Sequence, residues 1–551
     1  MRLYLARNAF PLAVGTIAAL FLGLFFLLPV LKVFGASVLD ASGKNFTLSN
    51  YTSILSSRFY LNGLTNSLTI AAASALFTAL LGVPFAFCLA RLPIGGKPVL
   101  LALAALPLVL PSFVGAYALV LLFGRAGLVT GMLHSIGIPF DSIYGAKGII
   151  AVYTLTLYPY VVLPVTAAFK SIDHSVEEAA QNLGSSRARV LRTVTLPLVV
   201  PSILAGALLV FIEALENFGV PFVLAEDKTI LSVEAYKLFV GETTDNPASA
   251  GVLGVLLVVC TVTALLIQRR MLSRRHYATG ARRSTPLLAV SPSMRRLAAA
   301  YCWIVVGAAI VPFAAVVVIS LMQFSGPVIH FAVSTDNFAQ LFQRSYRPLG
   351  NTLLLATLAA CGATLIGVPI GYIVARHRSR LSALIDVVAT SPFAVAGTVL
   401  GIGLVMAFSN GALILTGTSL IIILAYVVRK LPFSVRSAGA ILQQIDPSLE
   451  EASINLGVPP ALTFLRITVP LMLGGIVGGF VLTFVTVASE LSATIVLYSG
   501  PWTTMTIMMF QALEGTSPGI AAAAATVLIV CTLVPVALVY RLLRRHELSM
   551  L

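Results

Sequence analysis

The sequence predicts an all-α polytopic membrane protein built from two related six-helix halves. Hydrophobic residues make up 58% of the 551 residues and charged residues only 10%, whereas an average soluble domain is about a quarter charged. The chain also repeats long stretches of its own sequence, which is the signature of a duplicated architecture. These two observations exclude an ordinary soluble domain.

Twelve apolar stretches approach or exceed the roughly 20 residues that a helix needs to cross the hydrocarbon core. The first stretch is too long for the apolar region of a signal peptide, so we interpret it as an uncleaved helix. The spans are expected at about 9–36, 64–90, 98–123, 147–169, 196–223, 249–268, 297–321, 350–375, 382–409, 413–435, 469–498 and 518–540.

The basic residues indicate the orientation of these spans. If the N-terminus is cytoplasmic, most of the 35 Lys and Arg residues fall in cytoplasmic loops, as the positive-inside rule requires. Because the number of spans is even, both termini are then expected in the cytoplasm. The net charge of +15 therefore indicates contact with anionic membrane lipid and not with nucleic acid.

Two segments of the chain occur twice. Residues 66–91 (NSLTIAAASALFTALLGVPFAFCLAR) align without a gap on residues 351–376 (NTLLLATLAACGATLIGVPIGYIVAR), at an offset of 285. A polar segment that begins EEAAQNLG at Glu177 recurs as EEASINLG at Glu450, at an offset of 273. Each half has an even number of spans, so the second half re-enters the membrane in the orientation of the first. The expected regions are a first repeat at 1–268, a basic cytoplasmic linker at 269–296 and a second repeat at 297–551.

The repeated polar segment predicts a short helix-turn-helix on the cytoplasmic side, between the fourth and fifth spans of each half. Its acidic start suits a first helical turn, where the helix dipole favours negative charge. Gly184 and Gly457 are expected to end that helix in a left-handed conformation, and Pro197 and Pro470 lead into the fifth span. A solvated connector is the alternative, but a connector has no need to keep the same Glu, Gly and Pro intervals twice.

Both polar segments resemble the EAA loop of binding-protein-dependent ABC importer permeases, and the resemblance covers both halves of the chain. The second copy keeps the spacing but has Ser453 where the first has Ala180. The resemblance implies the type I ABC importer permease fold. The residues that it assigns to coupling are Glu177, Glu178, Ala179, Ala180, Gly184, Pro197, Glu450, Glu451, Ala452, Ser453, Gly457 and Pro470.

In that family each EAA loop is a coupling helix that docks on a cytoplasmic ATP-binding subunit. The resemblance therefore implies two copies of a cytoplasmic ABC ATPase, with Glu178 and Glu451 each pairing with an arginine of that partner. It also implies a periplasmic or lipid-anchored solute-binding protein and a place in the bacterial inner membrane. ATP and Mg²⁺ would bind to the partner, and no cofactor is expected on this chain, which lacks G-x-x-x-x-G-K-[ST].

The substrate is indicated only by a finer resemblance. Fusion of two six-helix halves into one chain and the phrase SELSATIVLYSG, from Ser489, resemble the ferric-iron permeases. Importers of thiamine and of 2-aminoethylphosphonate share the fused arrangement and remain alternatives.

Acidic residues inside the fifth spans predict a translocation pathway, because charged side chains at membrane depth are costly and usually functional. Glu490 aligns on Glu216 at an offset of 274, and we expect the two to line the route, where carboxylates would suit a cation. The alternative is a structural carboxylate bonded to a helix end or paired with arginine. The predicted pathway residues are Glu213, Glu216, Asn217, Ser489, Glu490 and Thr494.

Two other function classes fit the sequence less well. A secondary transporter with parallel six-helix repeats would show an internal duplication, but it has no need for duplicated Glu/Gly/Pro loops. An intramembrane enzyme would need His, Asp or Ser together at membrane depth, whereas the six His residues lie in loops or at span ends. The five cysteines form no CxxC pair and are interpreted as packing residues. We therefore expect a transport subunit and not an enzyme.

Overall fold

A computed structural model describes residues 2–40, 45–226, 228–241, 247–273, 287–288, 290–325, 328–344, 346–377, 379–411, 413–515 and 517–549. Half of the predicted linker at 269–296 lies outside these residues, as do residues 227 and 242–246, which follow the fifth span. The chain divides into two compact units. The first-repeat unit comprises Thr52–Glu234 and Leu256–Ser334, and the second-repeat unit comprises Met1–Tyr51, Ala235–Val255 and Thr335–Leu551.

The first-repeat unit is almost entirely helical. Its α-helices are Arg58–Arg91, Lys97–Ala105, Ser112–Phe123, Leu128–Ser135, Ala146–Leu157, Pro159–Ser171, His174–Asn182, Arg187–Val190, Leu196–Glu216, Gly219–Leu224 and Pro292–Ser320. A 3₁₀ turn at Leu106–Leu108 and a π-helix at Leu191–Thr195 complete the helical part. The strands Met322–Ser325 and Val328–Val333 form one antiparallel hairpin, with Phe324 opposite Ile329.

The second-repeat unit repeats this order. Its α-helices are Arg2–Leu22, Leu28–Ser37, Asp336–Arg344, Arg347–Arg376, Arg380–Thr390, Gly397–Phe408, Ser419–Leu442, Ser448–Asn455, Pro460–Thr463, Val469–Leu471, Leu473–Ala488, Thr494–Leu497, Met505–Glu514 and Pro518–Ser549. It also contains π-helices at Gly23–Leu27 and Phe464–Thr468 and 3₁₀ turns at Ser391–Ala394 and Gly500–Trp502. Three further helices, Ser49–Ser56, Leu231–Val240 and Pro247–Ser273, contribute residues to both units.

The predicted all-α membrane class is confirmed. Among the described residues, eight helices are long and apolar enough to cross a membrane, and counting each of three bent pairs as one span raises the number to eleven. Ser419–Leu442 is a further helix of 24 residues at the place of the tenth predicted span. It carries Arg429, Lys430 and Arg436, which is why it is less apolar than the others.

Several predicted spans are broken and not continuous. The third span of the first half separates into Lys97–Ala105 and Ser112–Phe123 around Pro111. In the second half, the corresponding helices bend by 104°. The fifth span of the first half ends at Glu216, where Asn217 has extended backbone angles, and a separate short helix follows. Hydrophobicity alone does not reveal such breaks, because the residues on both sides are equally apolar.

The first helix of each repeat packs in the other unit. Helix Pro292–Ser320, which begins the second repeat, lies in the first-repeat unit, and the N-terminal helix lies in the second-repeat unit. In the first-repeat unit, Tyr301 from helix Pro292–Ser320 donates a 2.7 Å hydrogen bond to the carbonyl of Leu81. In the second-repeat unit, Gly403 lies against the N-terminal helix so closely that a Cβ there would be 2.6 Å from the Pro29 carbonyl oxygen. Glycine is therefore required at 403 for this helix contact.

A repeated hydrogen-bond clamp explains why Asn-Ser and Asn-Thr recur at the same place. In the first half, Asn66 Nδ2 donates to the Thr229 carbonyl over 3.2 Å, and Ser67 Oγ accepts the Leu231 N–H over 2.9 Å. The same pair of contacts recurs in the second half. A backbone N–H at a helix start needs such a partner when it is buried.

The second clamp has the same geometry. Asn351 Nδ2 donates to the Thr503 carbonyl over 2.8 Å, and Thr352 Oγ1 accepts the Met505 N–H over 2.9 Å. Thr352 is only 3% exposed. The clamp therefore fixes the start of helix Met505–Glu514 to helix Arg347–Arg376, which carries Asn351 and Thr352.

Substitution of Thr352 by Val should destabilise the protein, because the isosteric side chain leaves the buried Met505 N–H without an acceptor. We expect a loss of about 1–3 kcal/mol, measurable as a lower melting temperature of the purified chain in mild detergent. Thr357→Val is the matched control, since Thr357 lies on the same helix, is exposed and bonds only to its own helix at Leu353. Equal melting temperatures for the two variants would contradict the clamp.

Candidate functional site

The two repeated polar segments form the predicted helix-turn-helix, and we call them coupling loop 1 (residues 173–197) and coupling loop 2 (residues 446–470). In loop 1, Asp173 caps helix His174–Asn182 by accepting the Ser175 N–H over 3.0 Å. In loop 2, Asp446 accepts the Ser448 N–H over 2.9 Å, and this backbone hydrogen bond lowers the pKa of Asp446. Both helices therefore begin with a bonded aspartate, as their acidic start suggested.

Each helix ends at its glycine in the left-handed conformation that the sequence predicts. Gly184 has φ of +85° and Gly457 has φ of +88°. The Gly184 N–H donates to the Gln181 carbonyl over 2.8 Å, and the next N–H, of Ser185, donates to the Ala180 carbonyl over 3.1 Å. The same two bonds recur around Gly457. This is the Schellman arrangement, which disfavours any residue with a side chain at the positive-φ position.

The two adjacent glutamates of loop 1 have opposite environments. Glu177 is 3% exposed and forms an ion pair with Arg91, which ends helix Arg58–Arg91 and is also 3% exposed. The other carboxylate oxygen of Glu177 accepts a 2.7 Å hydrogen bond from Thr195 Oγ1. Glu178, by contrast, is 60% exposed, with His174 Nε2 at 3.2 Å. One glutamate therefore anchors the loop, and the other points out of the protein.

Loop 2 also has one buried and one exposed glutamate, but a different residue supplies the hydroxyl group. Glu450 accepts a 3.0 Å hydrogen bond from Arg376 Nε and a 2.9 Å hydrogen bond from the Tyr372 hydroxyl. Arg376 also donates to the Ile445 carbonyl over 2.9 Å. Glu451 is exposed. Each buried carboxylate is thus held by one arginine and one hydroxyl, but the hydroxyl comes from loop 1 in one half and from the neighbouring helix in the other.

The sequence interpretation missed the arginine partners. It treated both glutamates of each loop as parts of one docking surface, whereas the structure uses Glu177 and Glu450 inside the protein. A signal for these partners was present, because the repeated 26-residue segments both end in Ala-Arg, at Arg91 and Arg376. Arginine at the cytoplasmic end of a span is common enough that this coincidence was interpreted only as evidence for the duplication.

An exposed leucine precedes the glycine in both loops. Leu183 is 87% exposed and Leu456 is 85% exposed, although each follows a well-formed helix. A single exposed leucine is ordinary on a protein surface, but here one occupies the same position in both copies of the loop. The outward faces of the two loops, Glu178 with Leu183 and Glu451 with Leu456, are called the docking faces below.

The departure from the EAA pattern in loop 2 has a local explanation. Ser453, which replaces the second alanine, forms a 2.9 Å hydrogen bond with Thr463 Oγ1. The positions of this pair are Ala180 and Val190 in loop 1. This hydrogen bond has no counterpart in loop 1, because the side chains of Ala180 and Val190 carry no polar atoms.

The predicted pathway carboxylate Glu490 lies in a buried ion cluster. Lys430 Nζ lies 3.1 Å and Arg429 Nε 3.7 Å from Glu490 Oε2, and Glu490 Oε1 accepts the Ala493 N–H over 3.2 Å. Two cationic side chains thus surround one carboxylate that is 7% exposed. Of the predicted pair of alternatives, the structure favours the carboxylate paired with basic residues and bonded to a helix start.

The structure also corrects which residue of the first half corresponds to Glu490. Asn217 Oδ1 accepts the Val220 N–H over 3.0 Å, which is the same helix-start bond that Glu490 makes, at an offset of 273. Glu216, at an offset of 274, does not occupy this position. The one-residue error arose because the short phrases around both glutamates are too apolar to fix an alignment.

A glycine-for-serine exchange accompanies this difference. In the first half, Asn217 Nδ2 donates to Ser112 Oγ over 3.1 Å. The corresponding residue of the second half is Gly397, where a Cβ would lie 2.0 Å from Arg429 Nη1. A neutral amide–hydroxyl pair in one half has therefore been replaced by a charged cluster that needs the space of the missing side chain.

The remaining predicted pathway residues have mixed environments. Thr494 Oγ1 contacts the Tyr426 hydroxyl over 2.6 Å and donates to the Glu490 carbonyl over 2.7 Å, and Ser489 Oγ donates to the Val485 carbonyl over 3.0 Å. Glu213 is half-buried and Glu216 is 9% exposed. Among the described residues, no group of three or more His, Cys, Asp or Glu side chains is placed to hold a metal ion.

Comparison with known proteins identifies the family. The family described as "Binding-protein-dependent transport system inner membrane component" matches residues 82–276 and 367–548, more than half of the chain. The chain belongs to this family. Both matched segments contain one coupling loop, and the expected membrane-transport function is thereby confirmed.

Several known permeases are similar to this one. The chain is 28% identical over 530 residues to the ferric transport system permease protein FbpB of Actinobacillus pleuropneumoniae, covering 94% of this chain and 76% of that protein. It is 29% identical over 491 residues to the putative ferric transport system permease protein FbpB 1 of Haemophilus influenzae, covering 86% and 76%. A solved bacterial ABC transporter that imports the acidic polysaccharide alginate matches with a TM-score of 0.42 and 19% identity, covering 50% of this chain and 100% of that chain.

The permease is therefore a multi-pass transport subunit of the inner membrane and not an enzyme. It works with an ATPase subunit and a periplasmic binding protein, as an importer of this class requires. Within it, the coupling loops combine a rigid inner anchor with an exposed outer face.

Replacing Glu177 by Ala should destabilise the permease far more than replacing its neighbour Glu178. The first change leaves Arg91 buried without its counter-charge, which costs about 3–5 kcal/mol, whereas an exposed substitution costs within about 0.5 kcal/mol. Melting temperatures of the two variants in mild detergent test this, with Glu450→Ala and Glu451→Ala as the matched pair in loop 2. A loss of stability from Glu178→Ala as large as that from Glu177→Ala would contradict the assignment.

Proposed function

We propose that this permease couples to two copies of the ATPase through its two docking faces and carries ferric iron delivered by the binding protein. The observation that carries the coupling proposal is the matched pair of loops. Both loops hold one glutamate inside by an arginine and leave the next glutamate and a leucine outside, with the same left-handed glycine turn. Two faces of equal geometry suit two copies of one partner.

The docking faces supply both charge and apolar contact. Glu178 and Glu451 each offer an exposed carboxylate to an arginine of the ATPase, and Leu183 and Leu456 offer side chains that would be buried on docking. Burying such an exposed leucine side chain stabilises the docked state by about 1.5–3 kcal/mol. ATP and Mg²⁺ would bind to the ATPase.

The orientation of the chain belongs to the same proposal. If the coupling loops face the cytoplasm, the even number of spans puts both termini there, and the binding protein docks on the opposite side of the membrane. The basic residues on the cytoplasmic loops support this orientation. Whether the binding protein is free in the periplasm or lipid-anchored does not alter the docking sites on the permease.

The proposal of ferric iron is supported by the relatives named as ferric transport permeases, which match over most of the chain. The acidic residues of the fifth spans do not support it as carboxylates that suit a cation, which is the role that the sequence suggested. Glu490 is paired with Lys430 and Arg429, so it is not a lone carboxylate that would attract a cation.

The sequence leaves 2-aminoethylphosphonate as a second candidate substrate, and the two basic side chains beside Glu490 suit an anion. A phosphonate is an anion that lysine and arginine recognise well. Thiamine is a cation and gains no support from this cluster. Ferric iron fits the same cluster if it is carried with a negatively charged ligand.

Replacing Leu183 or Leu456 by Asp should weaken binding of the ATPase. Each change puts a charge where an apolar anchor would be buried, and a loss of about 2 kcal/mol corresponds to about thirtyfold weaker binding. The measurement is co-purification of the ATPase with the tagged permease from mild detergent, quantified as copies per chain. The wild type should retain about two copies per chain, one for each docking face.

Ile414→Asp is the control for the docking faces, because Ile414 is also an exposed apolar residue, at 62%, but lies on the opposite side of the membrane in the proposed orientation. Loss of the ATPase in this variant would show a general defect and would contradict the docking faces. A wild-type chain that purifies without any ATPase and transports on an ion gradient would support the secondary-transporter alternative.

The substrate should be revealed by uptake in a strain that lacks this permease. Complementation with the wild-type chain should restore uptake of radiolabelled ferric iron and leave uptake of labelled 2-aminoethylphosphonate unchanged. Gly184→Val serves as the control with an uncoupled loop, since a β-branched residue cannot adopt the positive φ at low cost, and uptake by this variant should stay at background. Restored phosphonate uptake without iron uptake would replace the first candidate by the second.

A further inference from the structure

A large apolar cavity lies beside coupling loop 1 in the first-repeat unit. Its volume is about 830 Å³, which is within the range of small-molecule binding sites. The cavity follows helix Arg58–Arg91 from Val83 to Arg91, eight residues or about 12 Å at 1.5 Å per residue. Leu191 from coupling loop 1 and Tyr301 from helix Pro292–Ser320 line other sides. The shape suits an elongated apolar group.

One end of this cavity is polar and basic. Arg91 lines it with Glu177, and although Arg91 Nη2 is paired with that glutamate, its Nε and Nη1 have no hydrogen-bond partner among the described residues. The side chain is 3% exposed, so these N–H groups are nearly closed to solvent. Arg187 lines the same cavity and is exposed. An anionic group at this end would accept hydrogen bonds that the protein itself leaves open.

The mouth of the cavity lies on a surface that hydrocarbon would cover. Helix Pro292–Ser320 is long and apolar enough to span a membrane, and it exposes an apolar stripe with a spacing of seven residues. Leu297, Ile304, Val311 and Val318 form this stripe and are 55–69% exposed. Leu297 also lines the cavity. The opening therefore communicates with the bilayer, near the cytoplasmic end of the helix in the proposed orientation.

We propose that this cavity is a binding site for an anionic phospholipid of the cytoplasmic leaflet. One acyl chain lies along helix Arg58–Arg91, and the phosphate lies at the Arg91 and Arg187 end. Arg295 and Arg296, which are exposed and immediately precede Leu297 in the sequence, add to the positive charge that attracts anionic lipid. The lipid fills the space between coupling loop 1 and the helix to which Glu177 is anchored.

The second half shows what happens when protein side chains fill the corresponding place. Phe87 and Leu191, which line the cavity, correspond to Tyr372 and Phe464 at the offsets of 285 and 273. Tyr372 and Phe464 pack with tilted rings whose centroids are 4.8 Å apart, and the Tyr372 hydroxyl donates a hydrogen bond to Glu450. Aromatic packing thus braces loop 2 where the lipid chain braces loop 1.

This correspondence supplies the test variant, Leu191→Phe, which introduces the residue that loop 2 carries at the same position of its own π-helix. The purified full chain is reconstituted in vesicles of phosphatidylglycerol and phosphatidylcholine with a trace of photoreactive phosphatidylglycerol that has a diazirine in one acyl chain. Labelled peptides are mapped by mass spectrometry. In the wild type, label is expected on residues 83–91 and 294–301. Leu191→Phe should reduce this labelling about tenfold, because the larger side chain would leave room for about two fewer methylene groups of the acyl chain.

Val311→Phe is the matched control, because it enlarges the same lipid-facing stripe outside the cavity, and its labelling of residues 83–91 should equal that of the wild type. Arg187→Gln tests the headgroup without touching the core and should remove the preference for photoreactive phosphatidylglycerol over the phosphatidylcholine probe. If the wild type carries no label on residues 83–91, the site is overturned. It is also overturned if Leu191→Phe is labelled there as strongly as the wild type. Equal labelling by the two probes in the wild type overturns the anionic headgroup. The experiment needs neither ATPase nor substrate, so its outcome is independent of the proposed function.

Discussion

The buried ion pair between a loop glutamate and the arginine that ends the second helix of each repeat governs the coupling site. Arg91 with Glu177 and Arg376 with Glu450 each join a coupling loop to the end of a helix that is far from it in the sequence. Separating such a pair in a low-dielectric environment leaves an uncompensated charge, which is much more costly than bending a solvated loop. A coupling loop can therefore move only together with its helix, which is the property that a force-transmitting element needs.

Two adjacent residues can serve opposite purposes because a helix turns by about 100° per residue. If Glu177 points toward Arg91, Glu178 must point away from it, and the carboxylate outside is free to meet a partner while the one inside holds the loop. The sequence predicts the helix, its acidic start and its glycine end, because these depend on local rules. It does not reveal which glutamate faces inward, because that depends on an arginine 86 residues away.

The same limit explains what was predicted and what was missed around Glu490. A glutamate inside an apolar segment can be recognised from the sequence, and it is the reason for the predicted pathway. The charge pairing of Glu490 cannot be recognised in this way, because Lys430 and Arg429 lie on another helix. The correspondence between the helix-start bonds of Glu490 and Asn217 is likewise visible only in the structure. Comparing the two repeats does not reveal the correspondence of Glu490 with Asn217, because apolar repeats align equally well one residue apart. Only the hydrogen bonds distinguish the two alignments.

The differences between the repeats show that the duplicated halves have diverged in chemistry while keeping geometry. Thr195 supplies the hydroxyl to Glu177, but the equivalent Thr468 has no hydrogen-bond partner for its Oγ1 among the described residues. Tyr372 has taken its place, and a tyrosine there brings a ring that packs on Phe464. The first half has Phe87 and Leu191 instead, which keep the hydroxyl on the loop and leave a cavity beside it. Loss of one aromatic pair thus converts a site that is braced by protein into a site that lipid can brace, without altering the ion pair that the loop requires.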